Sequence, residues 1–164
     1  MFRLGRCGAT GQKGTVNPMT AMILDVVADS YSPLLVLLAL FAPKVVKSSA
    51  WQRVVRYYAA CCIGIGFVYL VKALDERFLL WSAVHLDYST HSAFAASLVV
   101  SIAIFQRLWL RALVGSLVLY FGIILLLRYH SVPDLITAGV LSALFTGAVH
   151  WAFGAFEGGS DEFR

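Results

Sequence analysis

Charge is scarce in this chain. Only 13% of its 164 residues are Asp, Glu, Lys or Arg, whereas 60% are hydrophobic; an ordinary soluble domain carries about a quarter charged residues. That shortage excludes a soluble globular domain. Cysteine is scarce too, at three residues. Cys61 and Cys62 are adjacent within an apolar run, where a helix points them in different directions, and Cys7 sits in the N-terminal tail. No disulfide framework follows, and the three read as packing or incidental residues. The net charge of +4 invites a nucleic-acid reading. The Lys and Arg residues are instead scattered at the ends of apolar runs, as membrane topology requires, and no nucleic-acid-binding motif is present.

What the chain does have is length in its apolar runs. A helix needs roughly 20 apolar residues to cross the hydrocarbon core. Candidate spans lie near 22–43, 54–73, 89–106, 108–128 and 134–154. The expected fold is therefore all-α, a polytopic membrane helix bundle of about five transmembrane helices. Five spans leave no room for a second core, so residues 19–156 form one transmembrane domain. A Gly- and Thr-rich lead (1–18) that lacks the apolar core of a signal peptide precedes it, and a polar tail (157–164) follows. Asp25, Asp29 and Pro33 in the first span predict a late start or a kink. Residues 78–85 are apolar but too short to cross. They are expected to form a short interfacial helix with Trp81 at headgroup depth.

Two polar islands interrupt this greasy background: Ser89-Thr90-His91, and His130-Ser131-Val132-Pro133-Asp134. Ionisable groups are costly near hydrocarbon and are seldom kept there without a role. Alternating the spans across the membrane puts both islands on one face, with Lys72, Arg77, Arg128, Asp25 and Asp29. The short loops of the other face hold Lys44, Lys47, Arg53, Arg56, Arg107 and Arg111. Discounting the cations near the islands, the excess of positive charge places the islands on the non-cytoplasmic side, in a cytoplasmic (inner) membrane.

The islands have a chemical logic. Pro133 is tolerated in the first turn of a helix and pushes Val132 out of helical geometry, so His130 and Asp134 meet across a tight corner. A carboxylate on one imidazole nitrogen leaves the other as a nucleophile or base. Ser89 is a plausible N-cap whose helix start binds anions. Lys72, Arg77 and Arg128 add positive charge suited to phosphate. The bland alternatives are specific as well. Lys72 and Arg77 could pair with Asp75 and Glu76 or act as interfacial anchors. Arg128 suits a helix C-terminus, and Asp25 and Asp29 suit a solvated helix start. Asp87 reads as a loop residue or cap. His85 and His150 read as structural, and Gly64, Gly66, Ala93, Ala96 and Ser97 as contacts between close-packed helices.

Ser89-Thr90-His91-Ser92-Ala93-Phe94-Ala95 resembles the Pro-Ser-Gly-His motif of the type-2 phosphatidic acid phosphatase superfamily. The run from Arg128 through His130 and Asp134 to Gly139 resembles that family's His-x-x-x-Asp-x-x-x-x-Gly signature. The resemblance spans residues 72–139 in order, spacing and sidedness. It implies metal-free dephosphorylation of a membrane phospholipid or polyprenyl (di)phosphate. His130 would be the nucleophile, Asp134 its orienting carboxylate and His91 the general acid; Ser89, Thr90, Lys72, Arg77 and Arg128 would hold phosphate. Departures are plain: Tyr88 stands for the motif's proline, Thr90 for its glycine and Ile124 for an arginine. Lys72 and Arg77 lack the proline that follows in the family. Sphingolipid synthases are a more distant likeness, implying transfer to a lipid alcohol. A non-catalytic lipid-binding protein is a further alternative, and a metal site of His91, His130, Asp134 and Asp87 a weaker one, since the spacing fits no short zinc motif.

Overall fold

The computed structural model describes residues 17–45 and 51–154. The lead and the tail, with Cys7 and Lys47, lie outside the described residues except for Asn17 and Pro18. Five long helices carry the fold: α1 (Pro18–Val45), α2 (Trp51–Phe78), α3 (Thr90–Phe105), α4 (Leu110–Leu126) and α5 (Val132–Ala152). Helices α1, α2 and α5, and α4 together with the 3-10 turn Arg107–Trp109 before it, are long and apolar enough to cross a membrane. The chain is an integral membrane helix bundle.

Helix α3 differs from the rest. Its 16 residues span about 24 Å at 1.5 Å each, short of the roughly 30 Å hydrocarbon core. Ten of them are buried, among them Ala93, Ala95, Ala96, Ser97 and Ser101. Small side chains let neighbouring backbones approach, and α3 packs against all four other long helices. It is the centre of the bundle. Its closest approach is marked by Gly64 of α2: a Cβ there would lie 2.8 Å from both Ser97 Oγ and Thr146 Oγ1, which hydrogen-bond to each other at 2.8 Å.

Cross-helix bonds fix the directions. Asp87, Ser97 and Ser101 reach Asp134, Thr146 and His150 in turn, so α3 and α5 run parallel. The Tyr88 hydroxyl donates to Val68 O, while the Tyr57 ring lies tilted against Phe105, so α2 is antiparallel to α3. On α1, Tyr129 pairs with Asp25, Tyr31 with Ser116 and Gln106 with Ala42. The helices therefore alternate, and the segments 79–89 and 127–131 share one face with the start of α1. The expected sidedness of the two islands agrees with this geometry.

Helix α1 runs unbroken through Pro33 and Pro43, beginning earlier than the sequence suggested. Pro43 has no N–H to offer the carbonyl of Ala39, and the Tyr57 hydroxyl donates to that oxygen instead (3.1 Å). Tyr58 serves Leu40 O and Gln106 serves Ala42 O. Side chains of α2 and of the residue that caps α3 thus satisfy carbonyls at the end of α1.

The expected interfacial helix at 78–85 is not formed. Leu79 and His85 have φ of 54° and 59°, a left-handed backbone that breaks a helix at both ends, and only a 3-10 turn at Ser82–Val84 remains. Trp81 folds back instead: its N–H donates to Asp75 Oδ1 (2.7 Å), its indole to Thr137 Oγ1 (3.2 Å), and its ring packs edge-on against Tyr88.

Candidate functional site

The second island is a capped helix corner. Asp134, the third residue of α5, is 6% exposed, and its Oδ2 accepts both the N–H (2.7 Å) and the hydroxyl (2.6 Å) of Ser131. This reciprocal use of a helix's third residue by the residue before it is capping-box chemistry. Its Oδ1 accepts the backbone N–H of Asp87 at 2.9 Å. All of this carboxylate's bonds are structural: they clamp the 129–134 corner to the segment that leads into α3.

His130 is therefore held otherwise than the sequence suggested. No hydrogen bond joins it to Asp134. Its Nδ1 lies 3.3 Å from Asp87 Oδ2, with the His130 side chain 16% exposed and that of Asp87 75%. The approach is within ion-pair distance but off the line of a hydrogen bond, so Nδ1 is buried without one. Nε2 makes no hydrogen bond among the described residues and is not among the buried atoms. From sequence alone Asp87 is a loop residue or cap. Its partner is 43 positions away, and no local spacing announces the pairing; the surplus carboxylate just ahead of Ser89 was the one available signal.

The first island opens α3. Ser89 is fully buried and caps the helix, its hydroxyl accepting Ser92 N–H at 3.4 Å; that hydroxyl faces its own helix rather than a ligand. Thr90 and His91 follow and line a cavity of about 310 Å³ with Phe94 of α3, Ser32, Pro33 and Val36 of α1, and Tyr69 of α2. His91 makes no hydrogen bond or ion pair among the described residues. The two histidines thus share an end of the bundle, with Asp87 four residues ahead of His91 and against His130.

None of the three cations makes a hydrogen bond or ion pair with either histidine among the described residues. Lys72 pairs with Glu76 at 3.7 Å on the helix surface. Arg77 and Arg128 are exposed and have no ion-pair partner among the described residues. Arg128 adopts φ 57° where the chain turns out of α4. Nearby, the Tyr129 hydroxyl donates to Asp25. That bond, foremost, raises the Tyr129 pKa above its ordinary value of 10.0, because ionising the phenol would set two anions together. Asp29 and His85 are exposed. His150 lies at the opposite end, buried and bonded to Ser101 Oγ at 3.0 Å, a structural role as expected. Among the described residues, no three His, Cys, Asp or Glu side chains are grouped so as to hold a metal ion. No protein-family model, curated protein or solved structure matches the chain.

Proposed function

We propose that this protein is a membrane lipid phosphatase acting on a phosphorylated phospholipid or polyprenyl (di)phosphate at the face that carries the two histidines. In this reading His130 Nε2 attacks phosphorus, an N–P bond forms as the bond to the lipid oxygen breaks, and His91 gives that oxygen its proton. Water then attacks the phosphohistidine, releasing inorganic phosphate and restoring the ring. The observation that carries the reading is the His130 ring, set with Nδ1 3.3 Å from the Asp87 carboxylate and Nε2 without a hydrogen bond among the described residues, at the same bundle end as His91. It also fits the likeness of both islands to the phosphatidic acid phosphatase signatures, with one revision: Asp87 takes the orienting role, and Asp134 holds the corner. The excess of Lys44, Arg53, Arg56, Arg107 and Arg111 on the opposite face supports a non-cytoplasmic site in the cytoplasmic membrane.

The test is release of inorganic phosphate from a panel of phospholipids and polyprenyl phosphates, with and without chelator. Turnover that chelator leaves unchanged and His130→Ala abolishes is expected; a panel without turnover refutes the proposal. One observation favours a second reading. Lys72 is paired with Glu76, and Arg77 and Arg128 make no ion pair among the described residues, as suits a protein that binds phosphorylated lipid without turning it over. Binding that survives His91→Ala and His130→Ala, with an inactive parent, would support that one. A new phospholipid in place of free phosphate would identify a transferase.

A further inference from the structure

Charge is divided between the two ends of the bundle. All six carboxylates among the described residues, Asp25, Asp29, Asp75, Glu76, Asp87 and Asp134, belong to the histidine end. The opposite end carries Lys44, Arg53, Arg56, Arg107 and Arg111, all exposed, and no carboxylate among the described residues. We infer that this opposite end is a docking surface for anionic phospholipid headgroups, centred where α1 stops and α4 begins. The inference goes beyond the proposed function and does not depend on it, because the surface and the histidines lie at opposite ends.

A buried bond builds the corner. Gln106 Nε2 donates to Ala42 O at 3.3 Å, which sets the end of α1 beside the turn that joins α3 to α4. Lys44 follows Ala42 by two positions and Arg107 follows Gln106 directly, so the two cations flank that bond. Arg111 comes four positions later, in the first turn of α4. Neither arginine makes a hydrogen bond or ion pair among the described residues. Lys44 leans back over the Phe41 ring, with Nζ 4.8 Å from its centre, and Phe41 is itself exposed. Its ammonium therefore sits on the outward side of α1. Arg56 is engaged in part, giving an N–H to Phe153 O, so the corner holds the charge that the bundle uses least.

Apolar side chains are set among these charges, and they select the partner. Leu108, between the two arginines, is 93% exposed, and Leu40, Leu110 and Val114 are exposed within a turn of the cations. An acidic protein or a nucleic acid would neutralise the charges and leave these side chains in water. A leaflet takes both, with phosphates at the cations and acyl chains against the leucines. Lys and Arg clustered at a membrane boundary attract anionic lipids, and the attraction fades as salt screens it. Arginine adds a geometric match, since its forked donors fit two oxygens of one phosphate.

The experiment uses the full chain in phosphatidylcholine nanodiscs doped with phosphatidylglycerol that carries a diazirine close to its headgroup, against phosphatidylcholine with the same group. After irradiation, the labelled peptides are mapped. At low salt the phosphatidylglycerol probe is expected to label residues 40–44 and 107–114 several-fold more than the phosphatidylcholine probe, and added salt should shrink the preference. Val26 and Val27, exposed at the histidine end of α1, should show none. Arg107→Gln combined with Arg111→Gln should remove the preference at 107–114, and Lys44→Gln should lower it at 40–44. Equal labelling of the corner by both probes overturns the inference, as does an equal preference at Val26 and Val27 or a preference that the double variant leaves intact. Labelling requires no turnover. A corner without preference leaves the phosphatase reading untouched, and a protein that releases no phosphate from any lipid can still show the preference.

Discussion

Two carboxylates sit near His130, and the structure gives them opposite work, which a pair of isosteric substitutions separates. In Asp134→Asn, one oxygen becomes an NH₂ group. The native carboxylate accepts three donors: Asp87 N–H on Oδ1, and Ser131 N–H and O–H on Oδ2. A single amide oxygen can face one side or the other, never both. The better orientation keeps the two Ser131 donors and sets NH₂ against the Asp87 N–H. At least one bond to a charged acceptor is lost, about 1.5–3 kcal/mol, and the remaining two lose their charge assistance. Asp87→Asn removes only an ion pair whose acidic member is 75% exposed, and exposed pairs contribute about 0–1 kcal/mol. Thermal or chemical unfolding in detergent should therefore show a clear loss for Asp134→Asn and almost none for Asp87→Asn. The imidazole nitrogen signals of selectively labelled His130 should behave in the reverse way at Asp87, shifting although the fold is intact. Equal destabilisation by the two variants, or His130 signals untouched by Asp87→Asn, would refute the division of labour.

Gly64→Ala is expected to destabilise the bundle by about 1–3 kcal/mol, the cost of overpacking. Its Cβ would lie 2.8 Å from two hydroxyls already bonded to each other, and unfolding in detergent reads the loss. Ser101→Ala leaves buried His150 unpaired at the far end; interhelical bonds in membranes contribute about 0.6 kcal/mol and at most about 1.7, so this change should cost less than Gly64→Ala in the same assay. Nuclear magnetic resonance titration of selectively labelled tyrosines, with the Tyr129 signal assigned by its loss in Tyr129→Phe, should find that phenol ionising above the ordinary 10.0 and returned toward that value in Asp25→Asn. The sign follows from a raised folded-state pKa: the bond's contribution is whole below the ordinary value and is lost as pH climbs through the raised one.

The sequence carried the layout of the bundle well and its interior poorly. Apolar run length located all five helices, and alternation put the two islands on one face, because crossing a bilayer constrains both. The cap residue Ser89 was visible as a polar residue ahead of an apolar run, whereas the cap role of Ser131 was not. In a membrane, however, both faces of a helix are apolar, so periodicity no longer separates core from exterior. The central place of α3 is written only in its small residues, which mark packing positions but do not reveal that four helices converge on them. The segment 78–85 misled because apolar composition says nothing about the left-handed turns at Leu79 and His85. The pairing of His130 with Asp87 was hidden for another reason. Asp134, four residues away, offered a sufficient local partner, and only the fold reveals that its oxygens are engaged by Ser131 and by the backbone of Asp87.

That engagement changes how a motif of this spacing should be understood. A histidine four residues ahead of an aspartate across a Pro-bearing helix start satisfies two demands at once: the helix needs an acceptor for its orphan N–H groups, and the ring needs a carboxylate. One carboxylate buried under three donors cannot also align with an imidazole. The second demand passes to a residue that the first one positions, because the Asp87 N–H held by Asp134 is what brings the Asp87 side chain to His130. The corner, the loop before α3 and the start of α3 are in this way one connected piece. A change in Asp134 should therefore reach His130 and His91 through the backbone, whereas a change in Asp87 should stop at the ring of His130.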